Sequence, residues 1–139
     1  MRLAVLYDAE CAVCVRCREI VEAREALVPI RFVACRSHEA RTRYGAIPFV
    51  VHELVVVDDD TGAWWAGSAA FVMTLWALGA TRGLAELLVS DALAPLSHAA
   101  FSWVSANRGA LGWMTGAPSC ENGACELPSH AHPPGAMYR

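Results

Sequence analysis

The sequence contains no lysine, so all eleven basic side chains are arginines. They are scattered along the chain without a basic cluster, and the formal net charge at pH 7 is -3. Proteins that bind nucleic acid neutralise its phosphates with a stripe of Lys and Arg side chains. The composition therefore excludes nucleic acid as the partner class.

The amino terminus also lacks the pattern of a secretory signal peptide. Its apolar run is too short, and no small-residue cleavage site follows it. We therefore expect a cytoplasmic protein whose six cysteines are kept reduced. In that compartment, closely spaced thiols indicate catalysis, sensing or metal binding rather than structural disulfides.

One long stretch, residues 63–80, carries no charged side chain, which raises the alternative of a membrane span. Gly67, Thr74 and Gly79 interrupt the stretch, and Ser68 is expected to be the N-cap of a helix within it. We therefore predict a buried helix and no membrane span. Association of residues 63–80 and 84–101 with a bilayer is the competing hypothesis.

The most informative segment lies near the amino terminus, where an apolar strand leads into two cysteines. Residues 3–7 predict a buried strand, and the composition after Cys11 predicts a helix that reaches about Leu27. Cys11 and Cys14 form a Cys-x-x-Cys motif at the start of that helix. The N–H groups of a helix N-terminus stabilise a thiolate, and one helical turn brings Cys14 within disulfide reach. The motif predicts thiol–disulfide redox chemistry.

The other segments predict a mixed α/β fold. Strands are expected at residues 30–34, 54–57 and 63–66, a short helix or irregular crossover at 37–44, and a helix from Ser68 to about Leu78. The resulting order is βαβαββα, with parallel pairing across the helices and a hairpin at the turn of residues 58–62. With the motif after the first strand, this arrangement is thioredoxin-like. One or two further helices over residues 84–107, interrupted at Pro95, and an extended tail complete the prediction.

Several short motifs then carry a family resemblance. They are Tyr7-Asp8-x-x-Cys11-x-x-Cys14, Val56-Val57-Asp58, Gly62 and Gly67-Ser68-Ala69-Ala70. This pattern resembles the DCC family of thiol-disulfide oxidoreductases, which is named for its D-x-x-C-x-x-C signature and regarded as thioredoxin-like. The likeness covers about residues 3–108, including Arg108, although Ala9 stands where glycine is common. We therefore predict a thioredoxin-like DCC domain at residues 1–108 and a separate tail at 109–139.

The likeness implies that Asp8, Cys11 and Cys14 are the functional residues. We predict Cys11 as the nucleophile and Cys14 as the resolving thiol that closes the Cys11–Cys14 disulfide. Asp8 either caps the active-site turn or accepts the proton of Cys14, and the family likeness favours a functional role. No organic cofactor is required, because the electrons reside on the two sulfurs. The expected substrate is a protein disulfide or a low-molecular-weight thiol partner.

Two further cysteines and one proline are candidates for supporting roles. Cys17 is predicted to be a core residue, with a regulatory disulfide partner or a third metal ligand as alternatives. Cys35, at the end of the second strand, is predicted to be structural and near the motif. Thioredoxin-like folds place a cis-proline opposite the motif, and Pro48 is the candidate, although X–Pro bonds are mostly trans.

The tail contains two thiols and two imidazoles, Cys120, Cys125, His130 and His132. These are ligand types of a tetrahedral zinc site, although their spacing is not that of a common zinc finger. A second redox pair and incidental thiols in an extended tail are the alternatives. A soft-metal binding or sensing module, built from these residues or from Cys11, Cys14 and Cys17, competes with the oxidoreductase hypothesis.

Overall fold

A computed structural model describes residues 1–47, 53–108 and 110–111 of the chain. Its strands are β1 (Leu3–Tyr7), β2 (Ile30–Ala34), β3 (Val55–Asp58) and β4 (Trp64–Ala66). Its helices are α1 (Ala12–Glu22), α2 (His38–Tyr44), α3 (Ser68–Ala77), α4 (Arg82–Leu88) and α5 (Ala94–Ala106), with a 3₁₀ turn at Gly79–Thr81. The predicted βαβαββα order is confirmed.

The four strands form one mixed sheet in the order β2-β1-β3-β4. β1 runs parallel to β2, with Leu3 opposite Ile30 and Tyr7 opposite Ala34. β3 runs antiparallel to both β1 and β4. Two parallel strands joined through a helix, followed by an antiparallel hairpin, make this α/β fold thioredoxin-like, as predicted.

β1 is buried on both faces, because helices cover the two sides of the sheet. Side chains alternate along a strand, so Ala4 and Leu6 share one face with Tyr44 of α2. Leu3 and Val5 share the other face with residues of α3. All five residues of β1 are buried. The strand that leads into the cysteine motif is therefore completely buried, as is β3.

α1 is attached to β1 through Tyr7, the last residue of that strand. The guanidinium of Arg18 donates a hydrogen bond of 2.7 Å to the Tyr7 hydroxyl and lies 5.5 Å from the centre of the ring. The ring edge of Tyr7 also packs against Phe32 of β2 at a centroid distance of 5.9 Å. These contacts fix the axis of α1 relative to the sheet.

α1 is shorter than predicted, because the backbone after it pairs with a distant part of the chain. The helix ends at Glu22 rather than near Leu27. Ala26 forms a bridge with Leu78, and the Leu27 N–H donates to the Ala77 carbonyl at 2.8 Å. Two large apolar side chains of this region, Ile20 and Leu27, are 44% and 53% exposed.

Two helix starts also differ from the predictions. Gly67, not Ser68, is the N-cap of α3, and its φ of 61° lies in the left-handed region that glycine tolerates. Pro95 does not interrupt a helix, since it lies in the first turn of α5. The N–H that proline lacks would have no helical partner there.

The uncharged stretch of residues 63–80 divides into β4, α3 and the start of the 3₁₀ turn. α3 buries Ala70, Val72, Thr74 and Ala77, as expected for a helix of the core. Within the described ranges, no helix combines the length and the apolar character that a membrane crossing requires.

Candidate functional site: the Cys-x-x-Cys turn

Cys11 occupies the N-cap position of α1. Its backbone is extended, with φ -97° and ψ 110°, and its Sγ accepts a hydrogen bond of 3.3 Å from the Cys14 N–H. The Cys11 carbonyl accepts the N–H of Val15 at 3.0 Å, which begins the helical pattern. The sulfur therefore takes the place of the usual capping oxygen, at the positive end of the helix.

Asp8 shapes the turn that precedes Cys11. Its Oδ1 accepts the N–H of Glu10 at 3.0 Å, and its backbone carbonyl accepts the N–H of Cys11 at 3.2 Å. These two bonds close a tight turn between the end of β1 and the start of α1. The structure thus contains the capping arrangement, and proton transfer by Asp8 stays a prediction.

The two thiols of the motif have opposite acidity. A hydrogen bond from the Cys14 side chain lowers the pKa of Cys11 to about 6, against partial burial, and the Cys14 N–H and the charge of Arg108 act in the same direction. The hydrogen bond to Cys11, burial and the negative charge of Cys11 raise the pKa of Cys14. At neutral pH Cys11 is therefore the thiolate, and Cys14 is the protonated donor beside it.

Arg108 reaches this site from the far end of the described chain. It lies just after α5 and is exposed, and its positive charge favours the thiolate forms of both Cys11 and Cys14. The sequence included Arg108 only as part of the family resemblance and gave it no role. No local sequence pattern signals this electrostatic influence on the two thiols, because Arg108 and the motif are remote in sequence.

Cys17 is exposed, so its prediction as a core residue is wrong. The residues that α1 buries are Val13 and Val15, whereas Cys17, one turn after Val13, is exposed. Surrounding protein atoms and the negative charge of Cys11 raise the pKa of the Cys17 thiol even so. Cys17 therefore remains a thiol at neutral pH.

Cys35 is 4% exposed and packs on the α2 side of the sheet, as predicted for a structural cysteine. Its N–H donates to the Tyr7 carbonyl at 2.9 Å, which continues the β1–β2 pairing by one residue. Burial and the nearby charge of Asp8 raise the pKa of its thiol. Cys35 is therefore a buried residue next to the end of β1, and its thiol stays protonated at neutral pH.

In the part of the chain that the structure describes, no three His, Cys, Asp or Glu side chains meet as metal ligands would. A soft-metal site built from Cys11, Cys14 and Cys17 stays the competing prediction. Pro48 and the candidate zinc ligands Cys120, Cys125, His130 and His132 lie outside the described residues. Their roles stay predictions.

The lowered pKa of Cys11 predicts how its alkylation rate depends on pH. In the reduced protein, we expect carbamidomethylation of Cys11 by iodoacetamide to rise about tenfold per pH unit below pH 6 and to level off above it, because only the thiolate reacts. The rate is measured for each peptide by mass spectrometry. Cys17, whose pKa is raised from 9.0, is the internal control and should react only in more alkaline solution. A Cys11 midpoint near 9 would contradict the proposed role of the helix N-terminus.

The sheet order and the position of two cysteines at the start of the helix after β1 define a thioredoxin-like protein. The family model described as DCC1-like thiol-disulfide oxidoreductase matches residues 5–114, and the chain belongs to this family. A search of curated proteins and a search of solved structures each give no match. Family membership supports a general thiol–disulfide redox role and confirms the resemblance noted in the sequence.

Proposed function

We propose that the protein is a thiol–disulfide oxidoreductase in which Cys11 attacks the substrate and Cys14 resolves the intermediate. The observation that carries this proposal is the capping of α1 by the Cys11 sulfur. In that position the Cys11 sulfur accepts a hydrogen bond from the Cys14 N–H and lies at the positive end of the helix. It supplies a nucleophile at neutral pH and holds a second, protonated thiol one turn away.

The exchange proceeds in two steps. The Cys11 thiolate attacks one sulfur of the substrate disulfide, the S–S bond breaks, and the leaving thiolate takes a proton from water. Cys14 then loses its proton and attacks the Cys11 sulfur, which releases the second substrate thiol and closes the Cys11–Cys14 disulfide. Two electrons pass from the protein to the substrate. A dithiol reductant restores the reduced protein by the reverse sequence.

Asp8 has two roles in this scheme. Its bond to the Glu10 N–H shapes the turn that presents Cys11. Its negative charge also raises the pKa of Cys14, which supports a role for the carboxylate at this thiol. We propose that Asp8 accepts the Cys14 proton during resolution, when the negative charge on Cys11 has passed to the mixed disulfide. The substrate is a protein disulfide or a low-molecular-weight disulfide.

A redox titration tests the proposal. The full chain is equilibrated in buffers of defined dithiothreitol ratio, quenched by differential alkylation, and analysed by peptide mass mapping. We expect the peptides of Cys11 and Cys14 to lose their free thiols together at one midpoint potential, while buried Cys35 stays alkylatable after unfolding. If the pair resists oxidation until a chelator is added, the thiols bind metal and the proposal is wrong.

A further inference from the structure

β2 is an edge strand of the sheet, and among the described strands only β1 pairs with it. At the two ends of this pairing, the carbonyl of Pro29 and the N–H of Cys35 bond to β1. Because these bonds alternate along a strand, three residues between them turn their backbone groups away from β1, namely Ile30, Phe32 and Ala34. Within the described ranges, only the Ala34 carbonyl among these groups has a partner, the Ser37 N–H at 2.9 Å. The outer edge of β2 therefore offers hydrogen-bonding groups to one further strand.

A groove of about 150 Å³ lies beside this edge, between the end of α1 and β2. Its apolar lining consists of Val21, Ala26, Ile30 and Phe32. Ile30 and Phe32 are two residues apart, so their side chains lie on the same face of β2. A cavity of this size accommodates a group as large as benzene. The groove therefore has room for one apolar side chain of a strand that pairs with the edge.

The groove also has a free positive charge. Glu22 and Arg24 both line it. Glu22 is paired with Arg18 at 3.1 Å, whereas no hydrogen bond or ion pair holds the guanidinium of Arg24 in the described part of the chain. A guanidinium presents its N–H donors in a planar fork that fits a carboxylate. The groove therefore favours an acidic group close to the apolar side chain that it accepts.

The carboxyl end of β2 leads from the groove to the cysteine turn. Ala34 lies opposite Tyr7, at the end of the strand that precedes the motif. Arg36 forms an ion pair of 2.6 Å with Glu10, the residue before Cys11. An extended chain advances about 3.3 Å per residue, so about four residues beyond the edge are enough to reach Cys11. A segment paired with β2 can thus deliver its own cysteine to the site.

We propose that the edge of β2 and the adjoining groove bind an extended segment of a protein substrate, with an apolar side chain in the groove and a carboxylate at Arg24. This inference rests on the proposed function and names its substrate class, a protein disulfide with its cysteine about four residues from such a segment. Main-chain bonds to the edge provide affinity, and the groove and Arg24 select the side chains. Docking holds the disulfide near the Cys11 sulfur. The bonds made and broken are those of the exchange described above.

Chromogenic peptides test this proposal. An extended peptide carries an aspartate and a leucine two positions apart, and four residues further a cysteine joined by a disulfide to 5-thio-2-nitrobenzoate. It is made in both chain directions, because a strand can add parallel or antiparallel. The pre-reduced full chain releases the coloured thiolate, and the rate of the Cys11→Ser variant is subtracted. We expect at least one peptide to react about tenfold faster than N-acetylcysteine amide that carries the same disulfide, since pairing and apolar burial are added.

N-methylation of the peptide shows whether its backbone pairs with the edge. Alternate amides of a strand point to opposite sides, so methylation of one alternate set blocks the side that faces β2, and methylation of the other set blocks only the outer side. We expect the first peptide to react as slowly as N-acetylcysteine amide and the second to keep its advantage. Equal losses in both would contradict pairing with β2.

Arg24→Gln tests the carboxylate contact. It should lower the ratio of the peptide rate to the N-acetylcysteine amide rate about threefold, the size of an exposed ion pair. Arg82→Gln is the matched control, because it removes the same charge from α4, outside the groove, and should leave the ratio unchanged. An unchanged ratio in Arg24→Gln, or equal wild-type rates for the peptides and N-acetylcysteine amide, would overturn the inference. The proposed function survives either result if the probes still close the Cys11–Cys14 disulfide, and it fails as well if no probe closes it.

Discussion

Replacing Cys11 by serine is expected to lower the rate of disulfide exchange by about a thousandfold or more. A serine hydroxyl at the N-cap accepts the same Cys14 N–H, so the fold and the helix cap should be retained. The hydroxyl stays protonated at neutral pH and cannot form a mixed disulfide. The measurement is the reduction rate of a small disulfide under single-turnover conditions. A variant with half the wild-type rate would show that another cysteine is the nucleophile.

Cys14→Ser should give a different result, because the first step is preserved and the second is lost. Cys11 keeps its helix-capping position, attacks the disulfide and remains joined to half of it. Intact-mass spectrometry should therefore detect a stable adduct on Cys11 with one equivalent of substrate thiol. Cys17→Ser is the matched control, since this exposed thiol lies on the same helix one turn further along. It should leave turnover within about twofold of the wild type. An adduct that forms equally in Cys17→Ser would contradict the assignment of Cys14.

The sequence was sufficient to predict the order of strands and helices, because each depends on local patterns. β1 is a continuous apolar run, and the turn residues after β3 identify the hairpin. The end of α1 could not be predicted in this way. Residues 26 and 27 form hydrogen bonds with residues 77 and 78 instead of continuing the helix. No local sequence pattern indicates this pairing, because the two segments are distant in the chain. Leu27 is 53% exposed in this rearranged segment.

The candidate site shows the same division between local and distant determinants. The position of Cys11 at a helix start follows from the strand, the motif and the helical composition that succeed one another in the sequence. Cys17 is exposed although it lies one turn after buried Val13, so its exposure depends on how α1 packs against the sheet, which residue type and helical spacing did not predict. No local sequence pattern signals the electrostatic influence of Arg108 on the two thiols, because Arg108 and the motif are remote in sequence. Distant charges are therefore the part of this site that only the structure provides.

Leu6→Ala is expected to cause the largest loss of stability among single truncations in the sheet. Leu6 is 0% exposed and packs on the α2 face of β1 with Val33 and Val55. Removing three carbons from this position leaves a cavity between strands that are held on both sides, so neighbouring side chains cannot fill it. The free energy of unfolding should fall by about 3 kcal/mol, within the range for buried leucines. Urea unfolding of the reduced protein measures it as a lower midpoint at an unchanged m-value.

Leu96→Ala is the control for this truncation, since it removes the same three carbons from α5 at a residue that is 62% exposed. The side chain gives up little burial on unfolding, so the free energy of unfolding should change by less than about 0.5 kcal/mol. Equal losses in the two variants would contradict the packing described for β1. Leu6 lies two residues before Asp8, so the molecules of the Leu6→Ala variant that remain folded also test whether this part of the core affects the site. Its Cys11 should keep an alkylation midpoint near pH 6, since that value depends on Cys14 and the helix start rather than on the cavity.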